Sequence, residues 1–476
     1  MRYLICLLIA LGSTVAQANI KLPSLISDYM VLQQQTDVRI WGEATPKAAV
    51  TATASWLGKQ VRTQADQDGH WELWLSTPTA SFEEQTLKLT EGKQTVTLHH
   101  ILIGEVWFCS GQSNMVMPLK GFDYCPIRDA NNVIADASNH PGIRMATIKP
   151  VVKLTPQEYA EGSWLPSTVD NAPGFSAVAY HYALALQRTL QVPVGVITSA
   201  WGGSRVEGWL PKEILQTYPD EDLSQVGGKE KPVYLQSMLM YNAILYPCRK
   251  YTIKGFTWYK GESNVKSSFT YAKRLATMVE HWRALWEQGN IPFYYVEIKP
   301  FACLYEKDGY IGALLREAQQ KALALIPNSG MIGTNDLVED YEYSQIHTCR
   351  KKEVGDRLAH LSLNKTYGYK GIASEYPAYK SMSIKDGSIE ISLTNAERGL
   401  SPWNGITGFE IAGEDKVFYP AEASLNQKAH TVVVKSDKVS SPVAVRYCFR
   451  NFLKGNLANV MNLPVRPFRT DEWEIK

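Results

Sequence analysis

The sequence predicts an α/β fold: a mostly parallel sheet with helices on both faces, flanked at either end by β-sandwich-type regions. Two observations carry this. Between about residues 101 and 365, short apolar runs alternate with amphipathic stretches of ten residues or more, the pattern of parallel strands joined by crossover helices. Before and after that region the apolar runs become short and alternating, and turn residues separate them, as in antiparallel sheets.

The elements follow in order. Arg2, the apolar run Tyr3 to Leu11 and the Ala16-Gln17-Ala18 end describe a secretory signal peptide over 1–18, cut after Ala18. The run falls short of the roughly 20 residues a membrane helix needs. Residues 19–100 read as an N-terminal β domain, with runs such as Val38–Gly42, Val50–Ala54 and Thr95–Leu98. The catalytic-type α/β domain spans 101–365. Its expected strands are Leu102–Phe108, Val194–Ile197, Gly255–Tyr259, Phe293–Ile298 and Met331–Gly333. Its helices are Ser176–Leu190 with Ser176 as N-cap, Tyr271–Glu287, Ala313–Leu325 and about Arg350 to Leu361. Residues 366–476 return to short strands, such as Ser388–Ser392 and Thr431–Val434, and form a β region packed on the catalytic domain.

The formal charge of +2 over 476 residues gives no electrostatic reason to expect a nucleic-acid partner. No later segment is apolar for long enough to span a membrane. Beyond Cys6, six cysteines remain at 109, 125, 248, 303, 349 and 448. An even number permits disulfides in an exported protein but selects no pairing, and the spacing matches no metal site. The composition is silent on oligomeric state.

In parallel α/β sheets, reactive groups sit beyond the carboxyl ends of strands. Four such loops carry suitable residues. Cys109-Ser110-Gly111-Gln112-Ser113-Asn114-Met115 offers a serine hydroxyl and its own N–H. Ser199-Ala200-Trp201-Gly202-Gly203-Ser204 lets backbone approach a substrate closely. Trp258-Tyr259-Lys260-Gly261-Glu262-Ser263-Asn264 ends in a carboxamide N–H donor. His347, in Ser344-Gln345-Ile346-His347-Thr348-Cys349, stands alone among nine histidines at a late loop-to-helix junction. Each segment taken singly also reads as an ordinary turn or a structural histidine.

Their order, Ser, Gly, Asn, His, resembles the SGNH-hydrolase superfamily, and within it the sialate O-acetylesterase family. The similarity extends through Gly104-Glu105-Val106-Trp107, Phe175-Ser176-Ala177-Val178, Pro193-Val194-Gly195-Val196-Ile197, Arg316-Glu317-Ala318-Gln319, Val443-Ala444-Val445-Arg446-Tyr447 and Pro467-Phe468-Arg469-Thr470-Asp471. The resemblance implies an SGNH-type catalytic domain with Ser113 as nucleophile and His347 as general base. It implies an oxyanion hole from the N–H groups of Ser113 and Gly203 and the Asn264 side chain. It implies acetyl transfer from an O-acetylated sugar through an acetyl-serine, without metal or organic cofactor. The first substrate it suggests is 9-O-acetylated sialic acid, with acetyl xylan or another glycan second. Arg205 is a candidate to pair with a sugar carboxylate, or else a surface arginine.

Two positions depart from the family. An aspartate two or three residues before the histidine is usual, and here those residues are Gln345 and Ser344. The imidazole is then held by a backbone carbonyl, or by a displaced carboxylate among Asp336, Glu339, Asp340 and Glu342, or the scaffold is a disabled esterase that binds carbohydrate. Lys260 stands where the family commonly has glutamine.

Overall fold

The computed structural model describes residues 20–475; the expected signal peptide lies outside them. The N-terminal strands are β1 (Val31–Gln33), β2 (Asp37–Glu43), β3 (Ala49–Ala54), β4 (Val61–Gln64), β5 (His70–Ser76) and β6 (Ser81–Glu91). β2 pairs antiparallel with β5, whose residues alternate exposed and buried along its length. That period of two is what one solvated and one packed face demands. β7 (Gln94–Gly111) runs through the expected boundary at 100/101. Its first half pairs with β6, and its second half, from Glu105, is the middle of the catalytic sheet. One continuous strand therefore joins the two regions.

The catalytic sheet adds β8 (Ile143–Ile148), β9 (Gly162–Pro166), β10 (Val194–Ala200), β11 (Gly255–Tyr259), β12 (Phe293–Val296) and β13 (Ser329–Ile332), in the order β13-β12-β11-β7-β10-β8-β9. All neighbours are parallel except β8 and β9. The helices are α1 (Ser113–Val116), α2 (Ala130–Asp136), α3 (Ala177–Leu190), α4 (Lys212–Leu215), α5 (Ser268–Trp286), α6 (Ile311–Leu325) and α7 (Lys351–Lys365). Ser176 caps α3 as expected, its Oγ accepting the Ala179 N–H at 3.2 Å.

Strand alternation divides the interior in two. Phe108, Phe256, Trp258, Phe293 and Tyr295 point to one face and pack with Trp282 and Trp286 of α5 and Leu315 of α6. Their neighbours Trp107, Tyr259, Tyr294 and Val296 point to the other, against Tyr182 of α3 and Leu358 of α7. Buried on both faces, these strands read as continuous apolar runs.

The C-terminal region holds its own core, including Ile389, Ile391, Ile411, Val432, Val434 and Val445. One sheet contains Tyr379–Lys385, Ser388–Leu393, Glu422–Asn426 and Thr431–Lys435; another contains Phe409–Ala412 and Ala444–Tyr447. Arg316, fully buried on α6, ties it to the catalytic domain by donating to the Cys448 and Arg450 carbonyls at 3.2 and 2.5 Å. The six cysteines among the described residues are free and buried. Among the described residues no helix is long and apolar enough to cross a membrane.

Candidate active site

Ser113, Gly203 and Asn264 each follow the carboxyl end of one of three adjacent strands, β7, β10 and β11. The turn into α1 depends on Gly111, which has φ of +144° and where a Cβ would lie 2.2 Å from the Tyr259 carbonyl oxygen. Only glycine allows β7 and β11 to approach so closely while the chain swings out to expose Ser113. As the first residue of α1, Ser113 has an N–H with no intrahelical acceptor.

His347 lies after β13, just before α7, and its Nε2 is 2.8 Å from Ser113 Oγ. The loop is pinned on both sides of the ring. Asn114 Nδ2 donates to the Ile346 carbonyl at 3.0 Å and to Glu262 at 2.6 Å, and Thr348 Oγ1 donates to the Leu337 carbonyl at 2.6 Å. Asn114 Oδ1 in turn accepts from the buried Lys351. Phe122 meets the imidazole edge-on, with centroids 5.2 Å apart.

The Nδ1 side differs from both expectations. Asp336 pairs with Arg357 at 2.6 Å, Glu339 with Arg128 at 2.5 Å, and Asp340 with Lys454 at 2.7 Å. Glu342 accepts the Cys349 N–H at 2.8 Å. None of these carboxylates contacts the ring, and among the described residues no carbonyl accepts from Nδ1. It faces the Cys125 sulfur at 3.8 Å. Burial, with Lys351 and Lys299 nearby, pushes His347 down to about 4.

Gly203 adopts φ of +73°, and a Cβ there would sit 2.6 Å from the Tyr234 ring. At Gly202 a Cβ would lie 3.5 Å from that of Ser113, so this turn abuts the serine. Ser263 Oγ donates to the Gly203 carbonyl at 2.8 Å, and Asn264 Oδ1 accepts the Val206 N–H at 3.0 Å. The second and third turns are thereby fastened together. Asn264 Nδ2 donates to Glu207 at 3.1 Å. Both Glu207 oxygens accept from that nitrogen, the second at 3.4 Å.

Behind Asn264 lies a buried ion network. Lys260 donates to Asn264 Oδ1. Burial pushes this lysine down to about 7, against the pull of Glu207 and Glu262. Burial raises the Glu207 carboxyl, but Arg205 and Lys260 outweigh it and leave it below its ordinary value. Arg274 reaches Glu207 at 2.5 Å. Arg205 belongs to the same network: it donates to Glu221 at 2.5 Å, to Ser237 at 3.2 Å and to the Leu235 carbonyl at 3.1 Å.

Sequence reasoning named the four converging loops but missed Cys125, Asn114 and Glu207. Asn114 carried a signal through its place beside the serine; Cys125, in a loop without periodicity, carried none.

The family described as "SASA: Carbohydrate esterase, sialic acid-specific acetylesterase" matches residues 103–364. The chain is 27% identical to sialate O-acetylesterase of Mus musculus over 82% of each protein, and 28% identical to that of Homo sapiens over 76% of this chain and 74% of that one. Its structure resembles the crystal structure of a carbohydrate acetylesterase from Xanthomonas citri, with a TM-score of 0.84 and 31% identity over 96% of this chain and all of that one. This chain belongs to the sialic acid-specific acetylesterase family of carbohydrate esterases and is an esterase.

Proposed function

We propose that the protein hydrolyses O-acetyl esters on a glycan, with Ser113 as nucleophile and His347 as general base. The observation that carries this is the 2.8 Å approach of Nε2 to Oγ beside the Gly202-Gly203 turn, in a chain of this family. Ser113 Oγ attacks the acetyl carbonyl and its proton passes to His347 Nε2. The oxyanion takes hydrogen bonds from the Ser113 and Gly203 N–H groups and an Asn264 Nδ2 hydrogen. The sugar hydroxyl leaves with the proton from Nε2, and water, activated by the same nitrogen, releases acetate from the acetyl-serine.

For the substrate, the names of the mouse and human relatives favour an O-acetylated sialic acid, and the 9-O ester is the form we propose. A neutral glycan such as acetyl xylan is favoured by Arg205, whose guanidinium is taken up by Glu221, Ser237 and Leu235 and is a poor partner for a sugar carboxylate. Acetate release from 9-O-acetylated sialic acid, acetylated xylan and a chromogenic acetate ranks these readings. Ser113→Ala is expected to lose turnover by about 10⁶-fold, as removal of a serine nucleophile does elsewhere. Retained turnover in that variant overturns the mechanism, and turnover of none of the three substrates by wild type favours the carbohydrate-binding alternative.

Residues 1–18 are proposed to direct export to a periplasm or beyond the cell. N-terminal sequencing of the protein from its producing cell tests this: Asn19 as first residue is expected, and an intact Met1 in mature protein overturns it.

A further inference from the structure

We propose that Cys125 is the positioning residue of His347: its sulfur occupies the place of the missing carboxylate and accepts the Nδ1–H hydrogen bond. The inference rests on the Ser113–His347 reading. For Nε2 to accept the Ser113 proton, the neutral imidazole must carry its hydrogen on Nδ1, and the acceptor facing Nδ1 decides this. The residue found there is Cys125, with Sγ at 3.8 Å and the side chain buried. The four acidic residues nearby in sequence are engaged elsewhere.

The loop before α2 holds this thiol in place. Phe122 and Cys125 exchange backbone hydrogen bonds of 3.1 and 3.0 Å, and the Arg128 N–H donates to the Cys349 carbonyl at 3.0 Å. One short loop thus supplies both the ring that contacts the imidazole edge-on and the sulfur facing its Nδ1. Asn114 and Thr348 fix the histidine backbone on either side, which leaves ring orientation and tautomer to Phe122 and Cys125.

The sulfur acts as a neutral acceptor. The charged groups around the pair are Lys351 from α7, Lys299 after β12, Glu342 and Asp123; burial, helped by Glu342 and Asp123, outweighs the two lysines and raises the thiol above its ordinary range. When Ser113 attacks, its proton moves to Nε2 and Nδ1–H stays bonded to sulfur; no proton passes to Cys125. A neutral acceptor selects the tautomer without stabilising the imidazolium as a carboxylate does. Burial, with Lys351 and Lys299, lowers His347 to about 4, and a neutral acceptor leaves that shift uncompensated where a carboxylate would oppose it.

The test measures kcat, KM, the acid limb of kcat/KM and Tm for wild type, Cys125→Ala, Cys125→Ser and Cys125→Asp on the best acetyl ester. Cys125→Ala is expected to lose about five- to tenfold in kcat, the value of one modest hydrogen bond, with KM and the acid limb unmoved. Cys125→Ser recovers part of that loss. Cys125→Asp raises the acid limb by a pH unit or more, because an opposite charge favours the imidazolium. Wild-type kcat in Cys125→Ala, or an unmoved limb in Cys125→Asp, overturns the proposal. If the aspartate variant does not fold, Cys125→Ser that is no better than Cys125→Ala at equal Tm overturns it. Ser113→Ala and His347→Ala separate the two levels: if they stay active, the underlying mechanism fails, whereas loss of activity in both with wild-type kcat in Cys125→Ala refutes only the role of the thiol.

Discussion

The two halves of the site are built on opposite principles. Around His347 the direct neighbours are a serine hydroxyl, a thiol and a phenyl ring, all uncharged. Around Asn264 stand Lys260 and Glu207, backed by Arg274, Arg205 and Glu221. In the proposed mechanism the imidazole gains and loses a charge in every turnover, and a fixed charge in contact with it biases one of those states. The proposed oxyanion donor must instead stay still, and the buried ion pairs and hydrogen bonds around it supply that rigidity. On the proposed mechanism, the half that moves protons has uncharged direct neighbours, with Lys351 and Lys299 nearby, while the half that only donates is braced by ion pairs.

The contrast breaks first at Glu207. Its side chain is fully buried and pairs with both Arg274 and Asn264. Glu207→Ala leaves buried cations uncompensated, a loss of about 3–5 kcal/mol for a broken buried pair. Urea denaturation is expected to show it as a fall in midpoint, with activity lost along with the fold. An unchanged midpoint means that Asp220 and Glu221 carry Arg274 without help, and that the bracing is redundant.

Asn264 sharpens the same comparison. Asn264→Ala removes the proposed third oxyanion donor and is expected to lower kcat about 10²–10³-fold, with KM nearly constant. The braced half then fails through chemistry at Asn264 but through stability at Glu207. A loss below about threefold in kcat reduces Asn264 to scaffolding for the Val206 turn.

Most of the α/β order was legible because its elements are long, apolar and periodic. Gly255–Tyr259 and the start of β10 at Val194 stand where the alternation placed them. β8 was not legible. Arg144 interrupts its apolar run and is buried there, reaching Glu84 at 3.2 Å and stacking over Tyr29. The join inside β7 was obscured by His99 and His100, polar residues in the middle of the strand. At the site, the order of the four loops was readable because each follows a strand. The empty aspartate position was readable as well, since Gln345 and Ser344 are plainly no carboxylates. What replaces that aspartate was not, because Cys125 reaches His347 across 222 residues of chain by the fold of a loop with no pattern of its own.

Lys260 gives the finest test of the braced half. A glutamine side chain at this position keeps an N–H donor for Asn264 Oδ1 but carries no charge. Burial lowers Lys260 to about 7, whereas in the unfolded chain a lysine titrates near 10.4. Below about pH 7 both states bind the proton, and the folded protein bears the whole cost of a buried charge. As pH rises from about 7 toward 10, the unfolded chain binds more protons than the folded one, so wild-type stability gains with pH. Lys260→Gln removes that term. Its Tm is expected to exceed that of wild type most at pH 6, with the gap narrowing as pH rises to 9, and its kcat to change by less than about threefold because the donor to Asn264 remains. A gap that widens with pH makes the lysine a charge that Glu207 and Glu262 stabilise, and the network a true ion cluster with Lys260 as a full member.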